Sequence, residues 1–224
     1  MNAFSSPAFT TKKALAKERL LQAIRAGRYR PGERLRQNQI ARDLGLSSTP
    51  VREALTDLVG SGLVTYEQHC GVRVAEVEPE RVSQVYRARM LIEGEIAKLA
   101  FDHMGEGDHD KLSGLVDEMD AHRKAGRIEA LMAADEQFHL TILEACGNPY
   151  LVGATHQLWD GFPRYFVWLS EERMAASMGE HRRMVEALVE GNKATFLKVF
   201  AEHLENSLAL VLAYVAKQED QENG

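Results

Sequence analysis

The chain has 224 residues, 45% of them hydrophobic and 27% charged, and a net charge of −6. This is the composition of a globular protein with room for one large or two modest domains, and no run of about 18 uncharged apolar residues offers a membrane span. Two cysteines, Cys70 and Cys146, with no CxxC speak against a disulfide framework or a cysteine-rich zinc site, and an N-terminus without an apolar signal core points to the cytoplasm.

The first predicted helix runs from Thr11 to Ala26, with Leu15, Leu20, Ala23 and Ile24 at helical spacing and Gly27 as its breaker. Pro31-Gly32 makes a turn, and QNQIARDLG forms a short helix ending at Gly45. In LSSTPVREALTDLVGSG, Ser47 is the expected N-cap, and Pro50 falls in the first turn, where a missing N–H costs little. Val51, Ala54, Leu55, Leu58 and Val59 make the apolar face of that helix. LVTYEQHCGVRVA then reads as two short strands around a turn at His69, Cys70 and Gly71. This order is that of a winged helix-turn-helix, whose second motif helix would enter the major groove. Charge agrees: residues 1–75 carry 12 Lys/Arg against 6 Asp/Glu, and the remainder 15 against 27. A basic third joined to an acidic remainder suggests that the first third meets a polyanion, with an accidental surface distribution as the alternative.

Val77-Glu78-Pro79-Glu80 marks a boundary. From Arg81 to Lys217 the periodicity predicts about six helices. Breaks or kinks fall near Gly105-Glu106-Gly107, Gly126, Gly147-Asn148-Pro149, Gly161-Phe162-Pro163, Gly179 and Gly191-Asn192. The expected architecture is mostly α: a winged helix-turn-helix at 1–76, a linker at 77–80, an all-α helical bundle at 81–217, and a disordered tail at 218–224.

Within the bundle, ADEQFHL places Asp135 and His139 four residues apart, on one helical face among Leu131, Phe138, Ile142 and Leu143. Glu180-His181 and Glu202-His203 repeat the pairing of acid and imidazole. Taken alone, a histidine beside an acid is more often an ordinary polar pair than a metal ligand, and spacing does not show that three such histidines converge.

GRYRPGERLRQNQIARDLGLSSTPVREALTDLVGSGLV resembles the signature of the GntR family of bacterial transcription regulators. VYRARMLIEGEIAKLA, DEQFH, ACGNPYL, GEHRRMVEALVEGN and AEHL resemble the FCD effector domain of its FadR-type branch, so the likeness runs from about residue 12 to 212. The resemblance implies DNA contacts by Arg36 before the first motif helix, by Ser47, Ser48, Thr49 and Arg52 at the recognition helix, and by His69 and Gly71 of the wing. Arginine matches guanine bidentately, and hydroxyls with helix N-terminal N–H groups suit phosphate. The alternative for Arg52 is a solvated charge beside Glu53 and Asp57. Ser48 and Cys70 stand where the family usually has Arg, which lowers the electrostatic part of binding, with Arg73 and His69 as partial replacements.

In the helical domain the resemblance implies a metal site at Asp135, His139, His181 and His203. Three imidazoles and a carboxylate suit zinc first, with nickel or manganese as alternatives, and leave positions open for water or ligand. Arg89 and Asn148 are the candidate contacts of a small carboxylate effector. Arg89 could instead pair with Glu93, and Gly-Asn-Pro could be a plain inter-helix turn. The expected protein is a homodimeric regulator, a repressor by default, on a pseudo-palindromic double-stranded operator, with no membrane partner and no catalytic role. Three readings stay beside it: a sensor whose signal is the metal itself, a constitutive DNA-binding protein with a purely structural metal, and a metal-dependent hydrolase with Glu136 as base. Against the hydrolase, no HExxH occurs and the winged helix goes unexplained.

Overall fold

The computed structural model describes residues 11–25, 28–61, 63–67, 71–76, 78–160 and 171–222. The chain divides into two compact units, Met1–Glu76 and Val77–Gly224, each taken here by itself.

In the first unit the described elements are helices α1 (Lys12–Arg25), α2 (Gln37–Asp43) and α3 (Ser48–Ser61), then strands β1 (Val64–Glu67) and β2 (Gly71–Val74). Both α1 and α2 pack on α3. Their apolar stripes meet in a core that includes Leu20, Ile24, Ile40, Val51, Ala54 and Leu58, all buried. Each large side chain so buried contributes roughly 1.5–3 kcal/mol relative to exposure. The connection between α2 and α3 is pinned from both sides: Arg19 Nη1 donates to the Leu44 carbonyl at 2.7 Å, and Gln37 Nε2 to the Ser48 carbonyl at 2.7 Å. With α3 starting at Ser48, Ser47 occupies the expected N-cap position.

The strands pair antiparallel, with Val64 opposite Val74 and Glu67 opposite Gly71. Residues before α2 extend this hairpin: Gly32 and Leu35 donate to the carbonyls of Val74 and Val72 at 3.0 and 2.8 Å, and Val74 donates to Glu33 at 3.0 Å. This third segment was invisible in the sequence, because PGERL offers a single apolar residue and no alternation. Gly71 opens β2 at φ +88°, a left-handed conformation that explains glycine there. The other turn residues of the hairpin, His69 and Cys70 among them, lie outside the described residues, as does the Gly27 breaker.

The second unit consists, among the described residues, of α4 (Pro79–His103), α5 (Glu106–Lys124), α6 (Ile128–Ala145), α7 (Pro149–Asp160), α8 (Glu171–Val189) and α9 (Lys193–Glu222). Helix α4 packs against α9, α6 and α7, while α8 packs against α9 and α5, and α5 against α6. Phe138, Leu131, Met184, Phe196 and Phe200 anchor the shared core.

Three boundaries differ from expectation. Pro79 and Glu80, expected in the linker, form the first turn of α4, where proline lacks only an N–H that has no acceptor. Helix α8 runs through Gly179, because Met174, Met178, Val185 and Leu188 keep its buried face continuous on either side. A mid-helix glycine costs only about 1 kcal/mol relative to alanine. Helix α9 continues to Glu222, so 218–222 is helical rather than a disordered tail. By length and composition 193–216 could also cross a membrane; here α9 packs on α4 and α8, which cover its apolar side. The predicted break at Gly161-Phe162-Pro163 lies outside the described residues.

Candidate metal centre

The structure brings together four side chains that the sequence places on three helices. Asp135 and His139 project from α6 one turn apart, His181 from α8 and His203 from α9. All four are buried. One nitrogen of each imidazole lies within 4.8 Å of the others, and the ring centroids are 4.8–5.2 Å apart. Asp135 Oδ1 stands 3.6 Å from His139 Nε2 and 3.7 Å from His181 Nε2. Phe138 stacks on the His181 ring at 4.4 Å and walls the cluster on that side.

Burial holds His181 well below its usual 6.5, reinforced by the neighbouring His203 and His139 against the pull of Asp135. Burial also lowers His203, although its hydrogen bond to Glu180 works the other way. Both are therefore neutral near pH 7, the form in which imidazole ligates a metal. Among the described residues, neither ring nitrogen of His181 has a hydrogen-bond partner. An unsatisfied buried polar group costs about 1–3 kcal/mol, so a fully enclosed imidazole with two such atoms needs a reason. A cation among three imidazoles and a carboxylate would satisfy it, and the donor set is that of a first-row divalent ion.

Two acidic residues that sequence reasoning did not assign frame this cluster. Glu180 accepts from His203 Nδ1 at 2.7 Å, from both Nη atoms of Arg173 at 2.8 Å, and from Asn206 Nδ2 at 2.7 Å. Burial would raise Glu180, but His203 and Arg173 hold it far below the usual carboxylate range. On α4, Glu93 is fully enclosed; it accepts from Arg89 Nε at 2.7 Å and from Trp159 Nε1 at 2.9 Å. Burial opposes its ionisation as well, and Arg89 keeps it below the ordinary value. Trp159 in turn meets His139 edge to face at 6.3 Å. The i,i+4 spacing of Arg89 and Glu93 was legible, but nothing in the sequence said that the pair is buried. Glu180 looked like a partner of adjacent His181, yet successive helical residues point about 100° apart, and its real partner is on α9. Glu202 points elsewhere, toward Arg183 and Lys198.

Asn148 has a structural task at the start of α7. Its side-chain oxygen accepts from the N–H groups of Tyr150 and Leu151 at 3.1 and 3.3 Å, an N-cap. By sequence Trp159, Arg164, Tyr165 and Trp168 could line a pocket or belong to the core; Trp159 belongs to the core, and the other three lie outside the described residues.

In the N-terminal unit Ser47, Thr49 and Arg52 are exposed around the start of α3, Ser48 is half-buried, and Arg36 is exposed at the N-cap of α2. Asp57, one possible partner of Arg52, is taken by Lys13 at 2.9 Å. Arg73 is committed to the wing, donating to Glu67 at 2.9 Å and to the Gly32 carbonyl at 2.9 Å. His69 cannot be placed, since it lies outside the described residues.

Comparison with known proteins now decides the family. Residues 84–206 match the FCD domain, and residues 12–74 match the bacterial regulatory proteins of the gntR family. The chain belongs to the GntR family. This GntR-family protein is 27% identical over 204 residues to the HTH-type transcriptional repressor GlaR of Escherichia coli, covering 83% of this chain and 89% of GlaR. Among solved structures, E. coli McbR/YncC superposes with a TM-score of 0.81 at 23% identity, covering 91% of this chain and 99% of McbR. A metal-free FCD domain of another transcriptional regulator superposes with a TM-score of 0.54 at 22% identity, over 64% of this chain and 99% of that domain. The GntR-family chain is thus a bacterial transcription regulator with a helix-turn-helix DNA-binding domain and an FCD domain, and not an enzyme. Regulators of this family bind DNA operators and usually act as dimers.

Proposed function

We propose that this regulator represses transcription as a homodimer on a pseudo-palindromic operator, and that its FCD domain binds a divalent metal and, at it, a small carboxylic acid. The observation that carries the reading is the enclosed cluster of His139, His181 and His203 beside Asp135, with both His181 ring nitrogens unpartnered. These four side chains would hold the ion, with zinc favoured and nickel or manganese as alternatives. When bound, the ion would supply open coordination positions to an oxygen donor. Arg89 is the candidate cation for the acid, in exchange for part of its contact with Glu93, and Asn148 is a secondary candidate at the start of α7. On the DNA side, Arg36, Ser47, Ser48, Thr49, Arg52, His69 and Gly71 form the operator-contacting set. Effector binding shifts the operator affinity through the segment before Pro79. A coupling of about 1–3 kcal/mol, roughly 5–150-fold, is enough for regulation.

The test is a thermal-shift screen of organic acids with and without added metal, joined to metal analysis of the purified protein. A ligand raises stability by RT ln(1 + [L]/Kd), so an acid that binds at the metal shifts the melt only when metal is present. His139→Ala is expected to lose both the metal and the acid response while staying folded at low temperature. Full metal occupancy in that variant would defeat the ligand assignment.

One observation favours a second reading. Arg89 is already paired and buried with Glu93, so this cation is engaged rather than waiting for an acid. If chelation alone releases the operator and no organic acid changes the affinity, the metal is itself the signal.

A further inference from the structure

Glu180 and Arg173 are outside the ligand set proposed above, yet they are as buried as the ligands. Arg173 grips the Glu180 carboxylate with both Nη atoms at 2.8 Å, and Nη2 also reaches Ser207 Oγ at 3.2 Å. Ser207 Oγ donates to the His203 carbonyl at 2.8 Å, and Asn206 Nδ2 to Glu180 at 2.7 Å. The whole assembly converges on one contact, Glu180 Oε2 with His203 Nδ1 at 2.7 Å.

An ionised carboxylate only accepts hydrogen bonds, so His203 must present Nδ1–H to it. A neutral imidazole carries one N–H, which leaves Nε2 with its lone pair for the cluster. His181 is different: among the described residues neither of its nitrogens has a hydrogen-bond partner. Of the two rings, His203 is therefore the one that arrives with tautomer and orientation set in advance. A carboxylate on the far nitrogen also strengthens the near one as a donor.

We propose that Glu180, clamped by Arg173 and Asn206, is a positioning residue for His203: it fixes the Nδ1–H tautomer and the ring orientation, and so sets how tightly the histidine cluster binds a divalent metal. The proposal rests on the metal reading above. The competing account is purely structural, an ion pair on α8 that ties this helix to α9 and has no bearing on the metal.

Two measurements on the full chain separate them. Long-range proton–nitrogen NMR of metal-free protein labelled at histidine is expected to show His203 as the Nδ1–H tautomer, and to show a tautomer mixture in Glu180→Ala. Zinc affinity, read by chelator competition at pH 7.5, is expected to fall by about 10–100-fold in Glu180→Ala and by less in Glu180→Gln, which keeps an acceptor. Because either change strands the Arg173 charge, the double variant Arg173→Met with Glu180→Gln serves as the folding control. It is expected to recover thermal stability but not zinc affinity. Wild-type affinity in that folded double variant, or an Nε2–H tautomer at His203 in the wild type, overturns the role of Glu180 alone. A wild-type chain that binds no zinc overturns the metal reading and this role with it.

Discussion

A guanidinium enclosed with one carboxylate is hard to probe by removing it. Arg89→Met would leave Glu93 buried with Trp159 as its remaining hydrogen-bond partner among the described residues, and breaking a buried pair in this way costs about 3–5 kcal/mol. Arg89→Met with Glu93→Gln is expected to cost much less, measured as the shift in urea midpoint, and is the better background for asking whether position 89 contacts an effector. Ser48 sets a test of the opposite kind. Its half-buried place at the start of α3 lies among the exposed Ser47, Thr49 and Arg52. Ser48→Arg is expected to tighten operator binding at low salt and to steepen the log–log salt dependence by about 0.9, one phosphate contact. Unchanged low-salt affinity would remove Ser48 from the DNA-contacting set. At this scale the sequence was informative where partners share a helix: Asp135 with His139 and Arg89 with Glu93 follow from one turn of spacing. It was silent where partners come from different helices, as for Glu180 with His203 or Glu93 with Trp159.

Among the elements, α7 shows how one residue can look like a ligand contact and serve as a cap. Asn148→Ala is expected to destabilise the helical unit by about 1 kcal/mol with no change in metal content, and Asn148→Ser to restore most of the loss. An effector response lost in the well-capped Asn148→Ser variant would show instead that the amide touches the ligand. The helix count was legible because the turns after α4, α5, α6 and α8 each coincide with a local glycine signal. Gly147, for example, stops α6 at φ +68°, with the His103 ring 3.7 Å from where a Cβ would stand. The bounds that moved lie at Pro79, Gly179 and 218–222. At Gly179 a local breaker forecast an end, while the buried face of α8 carried the helix through. The third segment of the wing was missed because its ladder is made by backbone groups, which leave no trace in side-chain pattern.

The two units of the chain differ in how acid should affect them. His181 and His203 lie in the helical unit, and both are held below 6.5 by burial. As pH falls through about 6.5 the unfolded chain takes up these protons and the folded chain does not, so folded stability drops. The slope reaches about 1.4 kcal/mol per pH unit for each histidine, and above that pH the contribution is complete and flat. Glu180, whose folded value is depressed, adds a further loss as pH falls through and below 4.5. Urea midpoints of the helical unit are therefore expected to fall from pH 7.5 to pH 5.5, more steeply than those of the winged unit, whose one histidine is His69. Equal pH dependence of the two transitions would contradict neutral, buried imidazoles. The division into a basic winged part and an acidic bundle was legible from charge and motif, because each is a property of a contiguous stretch. That three helices deliver their histidines to one point is a property of packing, and spacing alone could not have shown it.

His139, His181 and His203 sit far apart along the chain yet meet within a few ångströms. An ion held there would act as a cross-link across α6, α8 and α9, closing two long loops of the unfolded chain, so its loss would loosen all three helices together. Digestion tracks how often such a region opens, which makes protease resistance of the loaded protein, against that of the chelated one, a direct reading. In the cell the same difference would become one of lifetime: starved of metal, the regulator would be cleared faster, and its copy number would carry a record of metal supply separate from any change in its grip on DNA.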